Sequence, residues 1–157
     1  MSLRRNEEGF TLTELLAAFA ILGFTITAIY TFYLSGLLSW NRSIERMEYQ
    51  QTVRISLDTM IRELRYAREV EIAAENLIAF KIMGDTRIYR FRQSGETLLY
   101  AQHTAGNAHI ASNVIALGIT GLSFSIDQTS TVTITVTAGS GSQRTTISSS
   151  IRPRNIL

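Results

Sequence analysis

The chain has 157 residues, with 15 basic and 13 acidic side chains, so its formal net charge is only +2. This balance does not describe a dedicated nucleic-acid-binding protein. There is no cysteine, which excludes disulfides, a thiol nucleophile and thiolate metal sites. Charged residues make up 18% of the chain, below the usual value of roughly 25%, because one long run near the N-terminus carries almost no charge.

That run has no formally charged residue between Leu15 and Asn41. A helix needs about 20 predominantly apolar residues to cross a bilayer, so residues 10–38 predict one membrane-spanning helix. Glu14 lies just inside its entrance, where an ionisable group is costly and usually functional. We therefore expect Glu14 to have a partner. The alternatives are a carboxylate that reaches the membrane interface without a specific partner, or one that stabilises its own helix N-terminus.

The segment before the apolar run is short and ends in a glycine. It contains Arg4 and Arg5, offset by Glu7 and Glu8. A secretory signal has an apolar stretch of about 7–15 residues with a small-residue cleavage site beyond it. Here the apolar run is far longer, and the small residue Gly9 precedes it. Cleavage after Gly9 would remove the leader and leave the membrane helix on the mature protein.

The basic leader, Gly9, Phe10, Thr11-Leu12 and Glu14 together resemble the prepilin-type signal of type IV pilins and type II secretion pseudopilins. The resemblance implies that a prepilin peptidase cleaves the Gly9–Phe10 bond and methylates the new amine of Phe10. It implies an assembly role for Glu14, whose carboxylate would pair with the N-terminal ammonium of a neighbouring subunit. Such pairing is favourable because an unpaired charge in a low dielectric costs far more than a paired one.

The same resemblance implies where the chain lies and what it contacts. Counting basic residues on the two sides of the span leaves the orientation open, since Arg42, Arg46 and Arg54 follow it closely. Pilin-like proteins have a cytoplasmic N-terminus, a single span in the inner membrane and an extracytoplasmic C-terminal domain. The implied partners are other pilin or pseudopilin subunits, the prepilin peptidase, an inner-membrane assembly platform and the lipid bilayer.

The helix is expected to continue beyond the membrane. Apolar residues from Ile44 to Ala67 recur mostly at spacings of three and four, with charged residues between them, which predicts an amphipathic helix. We therefore expect one helix from about residue 10 to about residue 69. The domain division is then a leader at 1–9, a membrane and assembly helix at 10–38, and an extracytoplasmic domain at 39–157.

Beyond Asn76 the pattern changes to strands separated by turns. Gly84-Asp85 predicts a hairpin turn between strands at 77–83 and 86–92. Further strands are expected at 97–102, within 114–126, and at 131–137 and 145–151, whereas residues 103–112 are expected to form a loop. The predicted fold class is α+β: a long N-terminal helix packed on a C-terminal antiparallel sheet of five or six strands. Pilins have this architecture.

No residue pattern indicates catalysis. The only two histidines, His103 and His109, lie in the predicted loop, and a zinc site takes at least three protein ligands. The serines and threonines after Ser123 alternate with apolar residues, as on the exposed face of a sheet. We therefore expect no enzymatic activity, no cofactor and no metal site.

One strand interleaves basic and aromatic residues. Tyr89, Arg90, Phe91 and Arg92, with Arg87 nearby, could contact DNA if the chain belonged to a competence pilus, so nucleic acid is a minor candidate partner. A strand with one buried and one exposed face produces the same alternation, and we expect this second explanation.

The preferred function is that of a minor pilin or pseudopilin, which helps to initiate or cap a helical filament. The helix sequence from Gln50 to Arg65 and the tail Arg152-Pro153-Arg154 are similar to those of minor pseudopilins of the J type and minor pilins of the W type. The machine could be a type II secretion system, a type IV pilus or a competence pilus. The alternative is a single-span membrane-tethered binding or sensor module that does not polymerise.

Overall fold

The computed structural model describes residues 11–154. Helix α1 extends over Leu12–Arg65 and has 54 residues. The chain divides into two compact units, one ending at Arg42 and the other beginning at Ser43. In the first unit the helix exposes large apolar side chains all round, such as Phe24 and Phe32. By length and composition the helix could cross a membrane.

Eight strands follow the helix in the described part of the chain. They are β1 (Ala67–Ala74), β2 (Leu77–Ile82), β3 (Ile88–Ser94), β4 (Thr97–His103), β5 (His109–Leu117), β6 (Ile119–Ile126), β7 (Val132–Ala138) and β8 (Thr145–Ile151). Strands β1 to β5 form an antiparallel sheet in sequence order, and β6 to β8 form a second one. This arrangement confirms the predicted α+β class, with two sheets instead of one.

The core lies between the second half of α1 and the inner faces of both sheets. The helix contributes buried side chains at spacings of three and four: Val53, Leu57, Met60 and Leu64. The sheets contribute, among others, Phe80, Phe91, Leu98, Ile134 and Val136 to the same cluster. From Val53 onward the amphipathic stripe predicted for the helix is therefore the surface that meets the sheets, since its burial removes apolar area from water. Ile44 and Met47, which the predicted stripe included, are exposed.

The helix ends earlier than predicted. It stops at Arg65, and residues 67–69, which were expected to extend it, belong to β1. No glycine or proline marks this end. It is set by pairing between distant segments, because Ala67 lies opposite Ile82, and the backbone N–H of Arg154 donates to the carbonyl of Arg65 at 3.1 Å.

Two other boundaries differ from the predictions. The expected loop at 103–112 is wrong in its second part, because β5 begins at His109. This edge strand is mostly exposed on both faces, so its apolar and polar residues do not alternate. The turn at Gly84-Asp85 is wider than a two-residue hairpin, because β2 ends at Ile82 and β3 begins only at Ile88.

The strand predicted at 131–137 is confirmed with its alternation. Val132, Ile134 and Val136 of β7 are fully buried. The threonines between them lie on the opposite face of the sheet, beside side chains of β8. Three cross-strand hydroxyl pairs lie 2.8–2.9 Å apart there: Thr133–Ser150, Thr135–Ser148 and Thr137–Thr146. These cross-strand pairs explain why serines and threonines are abundant in this part of the sequence.

Candidate functional site

The first turn of α1 holds Glu14 through a reciprocal set of hydrogen bonds. The backbone N–H and the hydroxyl of Thr11 both donate to Oε2 of Glu14, each at 2.9 Å. The backbone N–H of Glu14 lies 3.3 Å from the Thr11 hydroxyl oxygen. This is a capping box, in which the first residue and the acid three positions later satisfy each other's free N–H groups.

The capping box bears on the two roles considered for Glu14. Its local role, stabilising its own helix N-terminus, is present in the single chain. Pairing with the ammonium of a neighbouring subunit stays a prediction. Thr11 was not predicted as a partner of Glu14, although the spacing Thr-x-x-Glu is a recognised start signal for a helix.

The predicted cleavage site, Gly9 and Phe10, lies outside the described residues. The roles assigned to these two residues therefore remain predictions that follow from the sequence.

Threonine hydroxyl groups in the apolar half of α1 form hydrogen bonds within the helix. Those of Thr25, Thr27 and Thr31 each donate to the backbone carbonyl four residues earlier, at 2.8–2.9 Å. In hydrocarbon an unsatisfied polar group is costly, and this back-bonding removes the need for external partners. The threonines are thus compatible with a helix whose surroundings are lipid or other apolar helices.

The strand with interleaved basic and aromatic residues has one face in the core and one face outside. Tyr89 and Phe91 are buried, with exposed fractions of 5% and 0%, so their rings are not available to stack on bases. The expected explanation by alternate faces is confirmed.

Arg87 is also engaged within the domain. Its guanidinium donates to Oδ2 of Asp85 at 2.7 Å and lies over the Tyr89 ring. Together with the Tyr89 hydroxyl, Arg87 holds the pKa of Asp85 well below its ordinary value. This cluster stabilises the turn between β2 and β3.

The two histidines are neighbours on adjacent strands, and not parts of one loop as predicted. His103 ends β4, His109 begins β5, and the two are directly paired, with ring centroids 5.4 Å apart. Within the described chain no group of three or more histidine, cysteine or acidic residues is placed to hold a metal ion.

Comparison with known proteins bears on the N-terminal segment. A protein-family model described as the prokaryotic N-terminal methylation motif matches residues 4–30. No curated protein and no solved structure matched the chain. The matched segment includes Gly9, Phe10, Glu14 and the first turns of the exposed apolar helix. The chain therefore carries a type IV pilin- or pseudopilin-type prepilin signal at its N-terminus.

Proposed function

We propose that the chain is a structural subunit, a minor pilin or pseudopilin that helps to initiate or cap a helical filament. The observation that carries this proposal is the methylation motif at residues 4–30 at the start of a long exposed apolar helix. Prepilin peptidase removes residues 1–9 and methylates Phe10. The chain acts as a building block and not as an enzyme.

The helix anchors the subunit before assembly. Its exposed apolar side chains need a nonpolar environment, because contiguous apolar surface of this extent is rare on soluble monomers. The N-terminus lies on the cytoplasmic side of the inner membrane, and the helix–sheet domain lies outside the cytoplasm. In the filament, neighbouring apolar helices replace the lipid around the same side chains.

Glu14 guides the incoming subunit. In the single chain its carboxylate is held by Thr11 at the helix start. A neighbour's N-terminal ammonium offers a full positive charge, and charge-assisted hydrogen bonds are roughly twice as strong as neutral ones. The capping box thus keeps the carboxylate at the helix entrance until an ammonium pairs with it and sets the axial register.

Two substitutions separate this role from local capping. Glu14→Gln removes the charge but keeps an amide that functions at the same position of a capping box. Thr11→Ala removes the hydroxyl and leaves the charge. The measurement is the fraction of subunit recovered in filaments sheared from cells that make the complete machine, with membrane insertion and leader removal followed in parallel.

The proposal expects Glu14→Gln to be inserted and processed normally but incorporated poorly. Thr11→Ala should be incorporated far better than Glu14→Gln, because the charge remains. Normal incorporation of Glu14→Gln would show that capping alone explains the glutamate, and the pairing mechanism would be wrong. A chain that keeps its leader and never enters a filament would instead be a membrane-tethered binding module.

The type of subunit is a finer part of the proposal. The tail around Pro153 is integrated into the domain, because Pro153 is buried and the Arg154 N–H caps the carbonyl of Arg65. This contact gives the arginine–proline–arginine tail a structural reason, and the resemblance of that tail to J-type and W-type minor subunits is what favours this class. The machine is a type II secretion system, a type IV pilus or a competence pilus.

A further inference from the structure

A cavity of about 160 Å³ lies on the face of the five-stranded sheet that carries Arg90 and Arg92. Four nitrogen-rich side chains line it: Arg90 and Arg92 from β3, His103 from β4 and His109 from β5. The rest of its wall consists of Leu77, Leu99, Ala101 and Ser112. None of these lining residues of the described chain is acidic, so the cavity concentrates positive charge above an apolar floor.

Two polar atoms at this cavity lack partners. Nε of Arg90 and Nδ1 of His103 are buried and have no hydrogen-bond partner among the described residues. Buried polar groups are nearly always satisfied, and each exception calls for a bound species or another cause. Nε of Arg90 can only donate, so its missing partner is an acceptor, whereas Nδ1 of His103 donates in one of the two neutral tautomers and in the protonated ring.

The arginine is positioned by its own turn. Its Nη2 donates to the side-chain oxygen of Asn107 in the turn between β4 and β5. Asn107 adopts a left-handed backbone conformation with φ of 69°, which asparagine tolerates better than most residues. Thr104 closes the turn by accepting from the backbone N–H groups of Asn107 and Ala108. The guanidinium is therefore fixed before any ligand arrives.

Electrostatics at the cavity also favour an anion. Burial lowers the pKa of His103, and the neighbouring Arg90, His109 and Arg92 lower it further. Glu69 and Glu71 line a neighbouring cavity, to which Arg90 also contributes, and not this one. Glu69 already forms an ion pair with Lys81 at 2.6 Å. A bound anion would relieve the repulsion between the cationic groups.

We propose that this cavity is a binding site for a single tetrahedral oxyanion, a phosphate or sulfate group, held by Arg90, Arg92 and His103. Its volume is sufficient, because an apolar cavity of about 150 Å³ accommodates a benzene molecule. Guanidinium groups suit such ligands, since their planar fork matches phosphate oxygens. The group is either a free ion or the phosphate of a small ester such as a lipid headgroup.

The shape of the site disfavours a nucleic-acid strand. Strand binding combines a basic groove with aromatic rings on which successive bases stack. Here the aromatic residues of β3 face the opposite side and are buried. The cavity is a single pocket lined by residues of four neighbouring strands, β2 to β5.

The test uses the full-length chain in zwitterionic micelles. The imidazole resonances of the only two histidines are followed by NMR while sodium sulfate replaces sodium chloride at constant ionic strength. Arg90→Gln and Arg92→Gln remove one charge each at the site. Arg144→Gln, an exposed arginine before β8, removes the same charge elsewhere. Circular dichroism shows which variants remain folded. Arg92 is the more exposed of the two site arginines, so its substitution should disturb the fold less.

The proposal expects saturable shifts of both histidines with sulfate and phosphate. Affinity should fall at least about tenfold in Arg90→Gln or Arg92→Gln, equivalent to about 1.4 kcal/mol, and should change little in Arg144→Gln. Tighter binding of glycerol phosphate, or of vesicles containing phosphatidylglycerol, would assign the site to esters; equal affinity would assign it to the free ion.

Equal effects of chloride and sulfate would overturn the proposal. The same conclusion would follow if Arg144→Gln weakened binding as much as the site variants. Binding of an oligonucleotide without any response to sulfate or phosphate would also contradict it, and would point to a nucleic-acid surface instead.

Discussion

Gly139, just after β7, sits where the helix meets the strands. It has a positive φ of 78°, and a Cβ built on it would lie 2.9 Å from Cδ2 of Tyr49 and 3.0 Å from the carbonyl oxygen of Gln143. Tyr49 comes from α1 and packs partly buried against the core. A side chain at position 139 would therefore press directly on the contact between the helix and the second sheet.

Gly139→Ala is expected to destabilise the domain through two separate effects. The left-handed conformation costs a non-glycine residue roughly 1–2 kcal/mol, and overpacking costs roughly 1–3 kcal/mol more. The total is about 2–5 kcal/mol. For a domain of this size, roughly 4 °C is lost per kcal/mol, so the thermal midpoint should fall by about 8–20 °C.

Gly84→Ala is the matched control. Gly84 has a similar φ of 83°, but no atom of the described residues lies within 4 Å of a Cβ built on it. Gly84→Ala should therefore lower the free energy of unfolding only by the cost of the left-handed backbone, roughly 1–2 kcal/mol. The assay is thermal unfolding of the full chain in micelles, followed by circular dichroism.

A double-mutant cycle tests the clash itself. In a Tyr49→Ala background the ring is absent, so Gly139→Ala should cost at least about 1 kcal/mol less than in the natural background. Equal costs for Gly139→Ala and Gly84→Ala, together with no coupling to Tyr49, would refute the close packing of the helix on this turn.

Two further predictions concern the five-stranded sheet. Phe91 is fully buried, and its ring centroid lies 5.6 Å from that of Phe80 and 5.0 Å from that of Tyr100. Phe91→Ala should therefore lower the free energy of unfolding, measured by denaturant titration, by about 3–5 kcal/mol. Phe24→Ala, in the exposed apolar helix, should leave the same free energy unchanged. Because Arg87, Tyr89 and a backbone N–H depress the pKa of Asp85, its contribution to stability is present above the unfolded-state pKa of about 3.9. That contribution is lost as pH falls below this value, so the difference in unfolding midpoint between the natural chain and Asp85→Asn should shrink in acid; a pH-independent difference would contradict the assigned ion pair.

The parts of the fold with strong local periodicity were predictable from the sequence. Val53, Leu57, Met60 and Leu64 repeat at helical spacing and are buried as expected. The strict alternation in β7 likewise identified its buried face. In both elements one face is buried throughout, so apolar residues recur along the sequence with the period of the element.

The parts set by distant pairing were not predictable. Strand β1 was missed because nothing local ends the helix; its position depends on pairing with β2 and on the tail that caps Arg65. The basic cavity was missed for a similar reason. His103 and His109 become neighbours only through the pairing of β4 with β5. The N-terminal signal, by contrast, is a linear pattern, and the family match covers the same residues.

The most direct measurement of the central claim is the intact mass and N-terminal sequence of the protein extracted from native membranes. The account predicts a chain that begins at N-methylated Phe10 and lacks residues 1–9. It also predicts that replacing Gly9 with a bulky residue leaves the full precursor, beginning at Met1. A natural chain that still begins at Met1 or Ser2 in cells with an active prepilin peptidase would contradict the proposed processing, and with it the ammonium on which assembly through Glu14 depends.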